Sequence, residues 1–519
     1  MYLTQCLHRA VQLHPDKVAM RFAGRERTFR EFTARVARLA GALQRLGMKE
    51  GDRVAMLSLN SDRYLEYLMA VPWGGGVLNP CNIRWSVAEL LYGIDDSGST
   101  ILLVDEMFSR AAGQLARDSQ TLRTVIYCGD GAVPAGMLGY EDLLAEAQPA
   151  PDVVRRGEDL LGIFYTGGTT GFPKGVMRSH AATCIAALSA LASGLGEAGG
   201  TYLHAAPMFH VADFGLSMPH WIAGNTHSII PMFSPDAVLK AIEHDRVTDT
   251  VLVPTMIQVL VDHPAMRQGL DFGSLKTIAY GASPISGALL ERAIAAFPSA
   301  GFVQLYGMTE IGPITINPPD YRPGGPPPLP EKLASAGQTS NCVELKIVDA
   351  AGEEVPRGTV GEVVVRGATL MQGYWNKPDQ TAAAIRDGWY HTGDGAYMDE
   401  DGYVFIADRM KDMIVSGGEN VYSAEVENAL ARHGAVASVA VIAIPSAEWG
   451  ESVHAVVVRV AGHTVTAEAL IAHCRTLIAG YKCPRSVEFV DALPISGAGK
   501  VLKIQLREPY WKDKSRNVG

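Results

Sequence analysis

The 519-residue sequence lacks several features that would mark particular classes of protein. Its seven cysteines form no CxxC pair, are odd in number and are spread over the whole chain, which favours reduced thiols of the cytoplasm. Basic side chains number 45 against 55 acidic ones, so the net charge of −10 has the wrong sign for bulk nucleic-acid binding. A basic segment followed by an apolar one is missing at the amino terminus, and no uncharged run is apolar enough for a membrane span. We therefore expect a cytoplasmic protein without an integral membrane segment.

What the sequence contains predicts a multidomain α/β protein. Hydrophobic residues make up 47% of the chain and charged residues 19%, a globular composition, and the length suggests about two to four domains. Apolar residues recur at helical spacing from Thr28 to Gly47, where Thr28 and Glu31 form a capping box, and a buried strand follows at 53–57. Alternating runs at 344–367 predict a small β subdomain. The proline-rich segment 318–330 predicts an irregular loop, to which we assign no function.

A loop rich in glycine and threonine at 165–175 is the first motif with chemical meaning. Glycines let backbone N–H groups approach an anion, threonines add hydroxyl groups and a lysine adds a positive charge, so the loop suits polyphosphate. Pro173 and Gly175 around the lysine exclude a Walker loop, and the alternative is an ordinary surface turn. The candidate phosphate-binding residues are Thr166, Gly168, Thr169, Thr170 and Lys174.

This loop resembles the phosphate-binding signature of the adenylate-forming superfamily, which includes acyl-CoA synthetases, luciferases and carrier-loading adenylation domains. Gly167 stands where the usual form has Ser or Thr, and further signatures follow in the family's order as far as Lys500. The resemblance implies a large amino-terminal domain, residues 1–407, with two α/β sheets and a small β subdomain. It implies a smaller, mobile α+β lid at 408–519, with Asp408 as the hinge.

The later signatures carry the nucleotide roles that the resemblance implies. The segment Tyr280–Pro284 would form the adenine-site turn, with Gly281, Ala282 and Ser283 against the base. In the segment 304–310, Tyr306 and Gly307 would meet adenine, Thr309 the α-phosphate and Glu310 a magnesium ion, with Thr170 as a further metal contact. Asp394 would accept hydrogen bonds from the ribose, and Arg409 would reach the ribose or phosphate. Without this context each would be an ordinary loop residue.

Two residues would act on the acid itself, and three on the thiol. Lys500 would bridge the acyl carboxylate and the α-phosphate, and His210 would lie near that carboxylate, although a lone histidine is more often a core or surface residue. Ala498 stands before Gly499 and Lys500 where the family form has Thr. Gly417, Gly418 and Trp449 would border the coenzyme A channel.

The acyl pocket is expected to be mostly apolar. No Lys or Arg lies between Tyr202 and Pro231 to pair with a second carboxylate, which disfavours a dicarboxylate and leaves fatty or aromatic monocarboxylates. Any one of the candidates could instead fill the core. The candidate pocket residues are Phe214, Met218, Trp221, Met256 and Ile311.

The function that the resemblance implies is an ATP-dependent acid:CoA ligase of fatty acid or lipid metabolism. The acid, ATP and CoA would be its substrates, Mg²⁺ its cofactor, and a homodimer its assembly if it self-associates. Three alternatives stay open: a luciferase-like oxygenase acting on the same adenylate, an enzyme that loads a carrier protein, and an inactive nucleotide-sensing module. Acyl chain length, pathway and the effect of Gly167 do not follow from the sequence.

Overall fold

The computed structural model describes residues 1–166, 173–283, 285–317, 332, 334–409, 412–417, 419–446, 448–496 and 500–512, with only the backbone of residues 408 and 409. Within these ranges the chain is a mixed α/β protein with four sheets, which confirms the predicted fold class. The α-helices in the described residues span Gln5–Leu13, Phe29–Arg45, Asp62–Trp73, Val87–Ser97, Ser109–Asp118, Tyr140–Glu146, His180–Ala192, Val211–Ala223, Pro235–His244, Pro254–Val261, Gly287–Ala296, Pro378–Ala384, Ser423–Ala431, Ala467–Arg475 and Lys503–Trp511. Short 3-10 helices span Pro264–Arg267 and Gly480–Lys482.

Two large sheets dominate the amino-terminal part, and both are parallel at their centres. The first sheet has the spatial order Gln338–Thr339, Gly312–Ile316, Gly301–Met308, Thr277–Gly281, Asp249–Leu252, Thr201–His204, Thr226–Ile229, Val18–Phe22 and Arg25–Thr28. The second sheet has the order Gly373–Tyr374, Lys174–Ser179, Leu160–Thr166, Val77–Pro80, Arg53–Leu57, Ile101–Val104, Thr124–Tyr127 and Leu138–Gly139. Helices connect most of the successive parallel strands, as in βαβ crossovers.

Two smaller sheets follow along the chain. The β-subdomain sheet is antiparallel and contains Val343–Val348, Gly361–Gly367, Trp389–Met398 and Ile385–Arg386, with Val404–Arg409 paired to Trp389–Met398. The carboxyl-terminal sheet contains Glu419–Val421, Ile414–Ser416, Gly450–Arg459 and Val436–Ser446, with Ser486–Phe489 paired to Gly450–Arg459. The carboxyl-terminal sheet has its own apolar core, which includes Val426, Leu430 and Val453. The predicted hinge at Asp408 lies where the third sheet ends and before the fourth begins.

The local predictions can be compared directly with these elements. The capping box at Thr28 is confirmed, because the Thr28 hydroxyl accepts a hydrogen bond from the Glu31 N–H at 3.2 Å and the Glu31 carboxylate accepts one from the Thr28 N–H at 2.8 Å. The strand at 53–57 and the β subdomain at 344–367 are confirmed as well. All seven cysteines are free thiols. In the described part of the chain, no helix has both the length and the apolar character needed to cross a bilayer.

A buried ion network ties the first helices to the edge strands. The Glu66 side chain is fully buried and accepts hydrogen bonds from Arg35 Nε at 2.6 Å, Arg27 Nε at 3.3 Å and the Tyr140 hydroxyl at 2.6 Å. Breaking a buried ion pair leaves an unpaired charge in a region of low dielectric constant, which costs about 3 to 5 kcal/mol. The network therefore makes a large contribution to the free energy of unfolding only while all of its members are present.

We expect Glu66→Ala to lower the thermal unfolding midpoint strongly, because it removes a fully buried carboxylate that two arginines and the Tyr140 hydroxyl bind together. Among the described residues, Arg35 would keep only Glu141 as a carboxylate partner, and Arg27 only Asp62. Glu26→Ala is the matched control, since Glu26 also pairs with an arginine, Arg21, at 2.6 Å but is 56% exposed. An exposed pair contributes at most about 1 kcal/mol. Scanning calorimetry of both variants checks this, and equal midpoint shifts would contradict the role assigned to Glu66.

Candidate active site

The predicted site residues lie where the parallel strands of the first sheet end. Segment 207–210 follows the strand Thr201–His204, residues 281–283 follow Thr277–Gly281, and the segment 306–310 ends Gly301–Met308. These strands pair in parallel through Asp249–Leu252, so their carboxyl ends share one edge of the sheet. Ligands of open α/β sheets bind at this edge. The topology thus brings together segments that are about one hundred residues apart.

Close backbone contacts explain two of the predicted glycines. A Cβ atom on Gly281 would lie 2.2 Å from the Leu305 carbonyl oxygen, and one on Gly307 would lie 2.2 Å from the Gly312 carbonyl oxygen. Next to Gly281, Ala282 has φ +68°, in the left-handed region that non-glycine residues rarely adopt. Such strained backbone is concentrated at ligand sites, which agrees with the prediction of an adenine turn here.

The predicted adenine and ribose contacts are adjacent. The Tyr306 hydroxyl donates a hydrogen bond to Asp394 Oδ2 at 2.7 Å, across 88 positions of sequence. Asp394 is only 6% exposed, and its backbone pairs in antiparallel register with Arg409. The side chain of Arg409 lies outside the described part of the structure. The Tyr306 side chain therefore lies next to the Asp394 carboxylate, on the strand that pairs with the one bearing Arg409.

A tyrosine joins the predicted phosphate lysine to the predicted metal ligand. Lys174 Nζ lies 5.0 Å from the centroid of the Tyr374 ring, and the Tyr374 hydroxyl donates to Glu310 Oε1 at 2.9 Å. Burial, the negative charge of Glu310 and the bond to it raise the pKa of Tyr374, so the hydroxyl remains a donor. Sequence reasoning missed this residue. The Gly373–Tyr374 strand pairs with Lys174–Ser179, a contact that no sequence motif indicated.

Arg178 is a second residue that sequence reasoning missed. It is only 3% exposed, and its Nη1 donates to the Thr369 carbonyl at 2.7 Å and to the Thr309 carbonyl at 3.5 Å. Burial lowers its pKa to about 10 and the negative charge of Glu310 opposes that shift, so the guanidinium stays charged at neutral pH. The Met371 N–H in turn donates to the Glu310 carbonyl at 2.6 Å. Arg178 thus fastens the Thr309–Glu310 segment to the loop at 369–371.

The positive charge of Lys500 acts on His210 although 290 residues separate them in sequence. His210 is the N-cap residue of the helix Val211–Ala223. Its Nδ1 accepts a hydrogen bond from the Ala212 N–H at 3.2 Å. Burial, and secondarily the positive charge of Lys500, lower the pKa of His210 to about 4. The imidazole is therefore neutral at pH 7, and because Nδ1 accepts, its proton is on Nε2.

Asn60 supports the loop that carries His210. This buried amide accepts a hydrogen bond from the Met208 N–H at 2.8 Å and donates to the carbonyls of Ala206 at 2.9 Å and His204 at 3.3 Å. Its own N–H donates to the Pro231 carbonyl. Neither composition nor periodicity indicated Asn60, because its partners lie more than 140 positions away.

Two of the predicted thiol-site residues, Gly417 and Trp449, are in contact. Gly417 has φ +64°, and a Cβ atom there would lie 2.8 Å from the Trp449 ring. The Gly417 N–H donates to the Trp449 carbonyl at 2.9 Å, and the indole, which is 38% exposed, lies under the Arg485 guanidinium at 4.4 Å. Arg485 also donates to the Ser416 hydroxyl at 2.9 Å. The Trp449 ring thus forms a partly exposed aromatic surface next to the cationic side chain of Arg485.

Four of the acyl-pocket candidates are packed among apolar residues, and their place in a pocket stays a prediction from the sequence. Phe214, Met218 and Trp221 recur at helical spacing on the side of Val211–Ala223 that packs into the core, where they are 1 to 3% exposed. Trp221 stacks on Phe32 at 5.1 Å between ring centroids. Ile311 is fully buried in the apolar cluster beneath Tyr306. These four side chains fill the core.

The remaining candidates are Met256 and the residues that lie outside the described part of the structure. Met256 is partly buried against the core that includes Leu252 and Ile257, and it remains a pocket candidate. The candidates that lie outside the described residues are Gly168, Thr169, Thr170 and Gly418, with Gly167 and the proline-rich loop 318–330. Their roles stay predictions from the sequence.

Replacing Arg178 tests whether it supports the Thr309–Glu310 segment. We expect Arg178→Leu to lower the unfolding midpoint and to cost about 1 to 3 kcal/mol of stability, because two carbonyls lose a donor in the protein interior. Arg178→Lys, which keeps the charge, should recover part of the loss, and Arg117→Ala on the surface helix Ser109–Asp118 is the control. Chemical denaturation measures all three. A leucine variant as stable as the parent would refute this role.

Comparison with known proteins gives a consistent result. The family model of the AMP-binding enzyme matches residues 7–375, and that of the AMP-binding enzyme C-terminal domain matches residues 425–500. Feruloyl-CoA synthase of Amycolatopsis sp is 39% identical over 97% of this chain and 98% of its own. Fatty acid--[acyl-carrier-protein] ligase ScoC of Streptomyces coeruleorubidus is 34% identical over 99% and 98%.

A solved structure extends the likeness to three dimensions. The anthranilate CoA ligase AuaEII, crystallised in complex with anthranoyl-AMP, superimposes with a TM-score of 0.90 at 26% identity and covers 98% of this chain and 97% of its own. The family models together span most of the sequence, including both the segments that form the site and the part that carries Lys500. The chain therefore belongs to the AMP-binding enzyme family, as an AMP-forming acid–thiol ligase.

Proposed function

We propose that the protein is an ATP-dependent acyl-CoA synthetase with two half-reactions. In the first, a carboxylate oxygen attacks the α-phosphorus of ATP, which gives acyl-AMP and pyrophosphate. In the second, the thiol of CoA attacks the acyl carbon, which gives acyl-CoA and AMP. The observation that carries this proposal is the hydrogen bond between Tyr306 and Asp394, close to the carboxylate of Glu310 that Tyr374 holds. The positive charge of Lys500, which acts on His210, supports it.

The first half-reaction needs positive charge where two anions approach. Lys500 would lie between the carboxylate and the α-phosphate, and Lys174 would face the phosphates from the other side. Neutral His210, with its proton on Nε2, would donate a hydrogen bond to the carboxylate and would keep that proton throughout the step. These groups are held in place before the reaction begins, so they stabilise the transition state with little reorganisation. Acid–base catalysis by a triad is not needed.

The residues present fit a magnesium ion that arrives with ATP. Within the described residues, no group of three His, Cys, Asp or Glu side chains forms a cage for a metal. Mg²⁺ commonly uses one or two carboxylates together with substrate phosphates and water, and Glu310 supplies a partly exposed carboxylate held by Tyr374. Glu310, with Thr170, would hold the ion, which when bound would neutralise charge on the phosphates.

For the second half-reaction we propose a rotation of residues 408–519 against residues 1–407 about Asp408. Rotation would withdraw Lys500 and present Gly417, Gly418 and Trp449 to the adenylate. The Gly417–Trp449 contact and the nearby Arg485 support this assignment, because they combine an aromatic surface with a cation suited to anionic CoA. Closure over the adenylate would also exclude water from a reactive intermediate.

The acyl group of the substrate is proposed to be aromatic or fatty and to carry a single carboxylate. On the helix Val211–Ala223, the face opposite the core carries Ala212, Gly215 and Leu216, all partly exposed. A Cβ atom on Gly215 would meet nothing within 4 Å, so open space lies beside it. Leu216 and Leu305, the residue before Tyr306, pack against the same apolar cluster, which includes Ala279. An apolar cleft at this place would suit a planar ring, such as the feruloyl and anthranoyl groups named for two relatives.

A carrier protein is the second candidate for the thiol acceptor. The similarity to ScoC, named as a ligase for an acyl carrier protein, favours it. Both acceptors end in the same phosphopantetheine thiol, so the site chemistry is shared. Competition between free CoA and a carrier protein for the same acyl-adenylate distinguishes them.

Substitution of Lys500 tests the proposed function. We expect Lys500→Ala to reduce ATP–pyrophosphate exchange in the presence of an acid by more than a hundredfold, because preorganised charge at a transition state contributes a factor of about 10² to 10³. Thioester formation from a supplied acyl-adenylate should be nearly unchanged. Lys503→Ala, at the first residue of the following helix, removes a lysine that pairs with Glu427 and is the control for general damage to this region. Full exchange activity in the Lys500 variant would refute the assignment.

Enlarging Gly215 tests the position of the acyl cleft. With a panel of cinnamic, benzoic and straight-chain acids scored by CoA-dependent AMP release, we expect Gly215→Leu to lose activity most on the largest acids and least on the smallest. The side chain would occupy space that is open in the parent. Gly287→Leu is the matched control, because its Cβ position is also open but lies on another helix. Equal losses across the panel would show that Gly215 does not line the cleft.

A further inference from the structure

Residues 82–86 form a short segment that borders both halves of the proposed catalytic centre, and no motif indicated it. This bridging segment follows the strand Val77–Pro80, which pairs in parallel with Leu160–Thr166 through Leu78 and Gly162. The two strands therefore end at the same edge of the second sheet. Trp85 contacts Tyr165 edge to face, with 6.5 Å between ring centroids. Tyr165 stands at the start of the proposed phosphate loop.

The neighbouring residue, Arg84, contacts the part of the chain that carries Lys500. Arg84 Nη1 donates a hydrogen bond to the Ser496 carbonyl oxygen at 3.3 Å, across 412 positions of sequence. Ser496 is bound to Lys500 twice, because its N–H donates to the Lys500 carbonyl at 2.7 Å and its hydroxyl accepts from the Lys500 N–H at 3.1 Å. A contact that fixes Ser496 therefore also fixes the backbone of Lys500.

The chemistry of this contact suits a reversible docking point. The donor is a cationic guanidinium, which gives a stronger hydrogen bond than a neutral donor. Arg84 is exposed, so its charge returns to water at little cost when the contact opens. An ion pair with a carboxylate would hold the lid more tightly, whereas a single bond to a carbonyl shifts a conformational equilibrium by a modest factor.

We propose that Arg84 is a positioning residue that stabilises the orientation of the lid in which Lys500 reaches the site. The proposal depends on the proposed function, since it assigns Arg84 to the first half-reaction alone. Once the lid rotates, Arg84 loses the Ser496 carbonyl and takes no part in the attack by the thiol. Arg84 touches no reacting atom in either step.

The test measures the two half-reactions separately in the full-length protein. We expect Arg84→Ala to slow acid-dependent ATP–pyrophosphate exchange about tenfold, the effect of losing one charge-assisted hydrogen bond that is partly exposed. Thioester formation from a supplied acyl-adenylate and CoA should stay within twofold of the parent. Arg84→Lys, which can still donate to the carbonyl, should recover part of the exchange rate.

Arg110→Ala supplies the control. Arg110 is also an exposed arginine, and it lies on the helix Ser109–Asp118, which connects two strands of the second sheet. The thermal midpoint should be unchanged in every variant because both arginines are exposed. Equal losses in the two half-reactions, an unchanged exchange rate in Arg84→Ala, or the same loss in Arg110→Ala would each overturn the inference. If Lys500→Ala keeps full exchange activity, the proposed function itself fails; if only Arg84→Ala does, the inference alone fails.

Discussion

A carboxylate and a triphosphate repel each other, and the proposed active site must overcome this repulsion before a bond can form between them. At 4 Å, each pair of like unit charges costs roughly 4 kcal/mol at an effective dielectric constant of 20, and ATP carries several negative charges. The reaction proposed here needs cations at fixed positions on both sides of the new bond. Lys174 comes from the second sheet and Lys500 from the carboxyl-terminal part of the chain, so neither part of the chain supplies the charge alone.

The fold meets this constraint by placing loops at shared strand ends and then fastening them with buried polar groups. Arg178 holds the Thr309–Glu310 segment, Asn60 holds the loop before His210, and Tyr374 links Lys174 to Glu310. Each is buried or half-buried, so each would be costly to leave unpaired. Buried support on the sheet side, together with the exposed contact between Arg84 and Ser496, would suit the proposed rotation of residues 408–519, because the nucleotide site would stay fixed.

Sequence reasoning succeeded where short-range patterns carry the information. The capping box at Thr28 and the strands of the β subdomain follow from local propensity and periodicity, whereas the nucleotide motifs were assigned by their resemblance to a family. It failed where partners are distant in sequence, as with Arg178 and Tyr374. It left the place of Trp221 open, because an apolar residue on a helix next to a site can face either the cleft or the core. Only the packing of that helix decides between them.

The path of one oxygen atom tests the account most directly. In the proposed reaction, a carboxylate oxygen bonds to the α-phosphorus and leaves with AMP when the thiol attacks the acyl carbon. An aromatic acid labelled with ¹⁸O in its carboxylate should therefore transfer one labelled oxygen to AMP for each thioester formed, as measured by mass spectrometry of the nucleotide product. Unlabelled AMP, or label recovered in inorganic phosphate with ADP as the nucleotide product, would contradict the account.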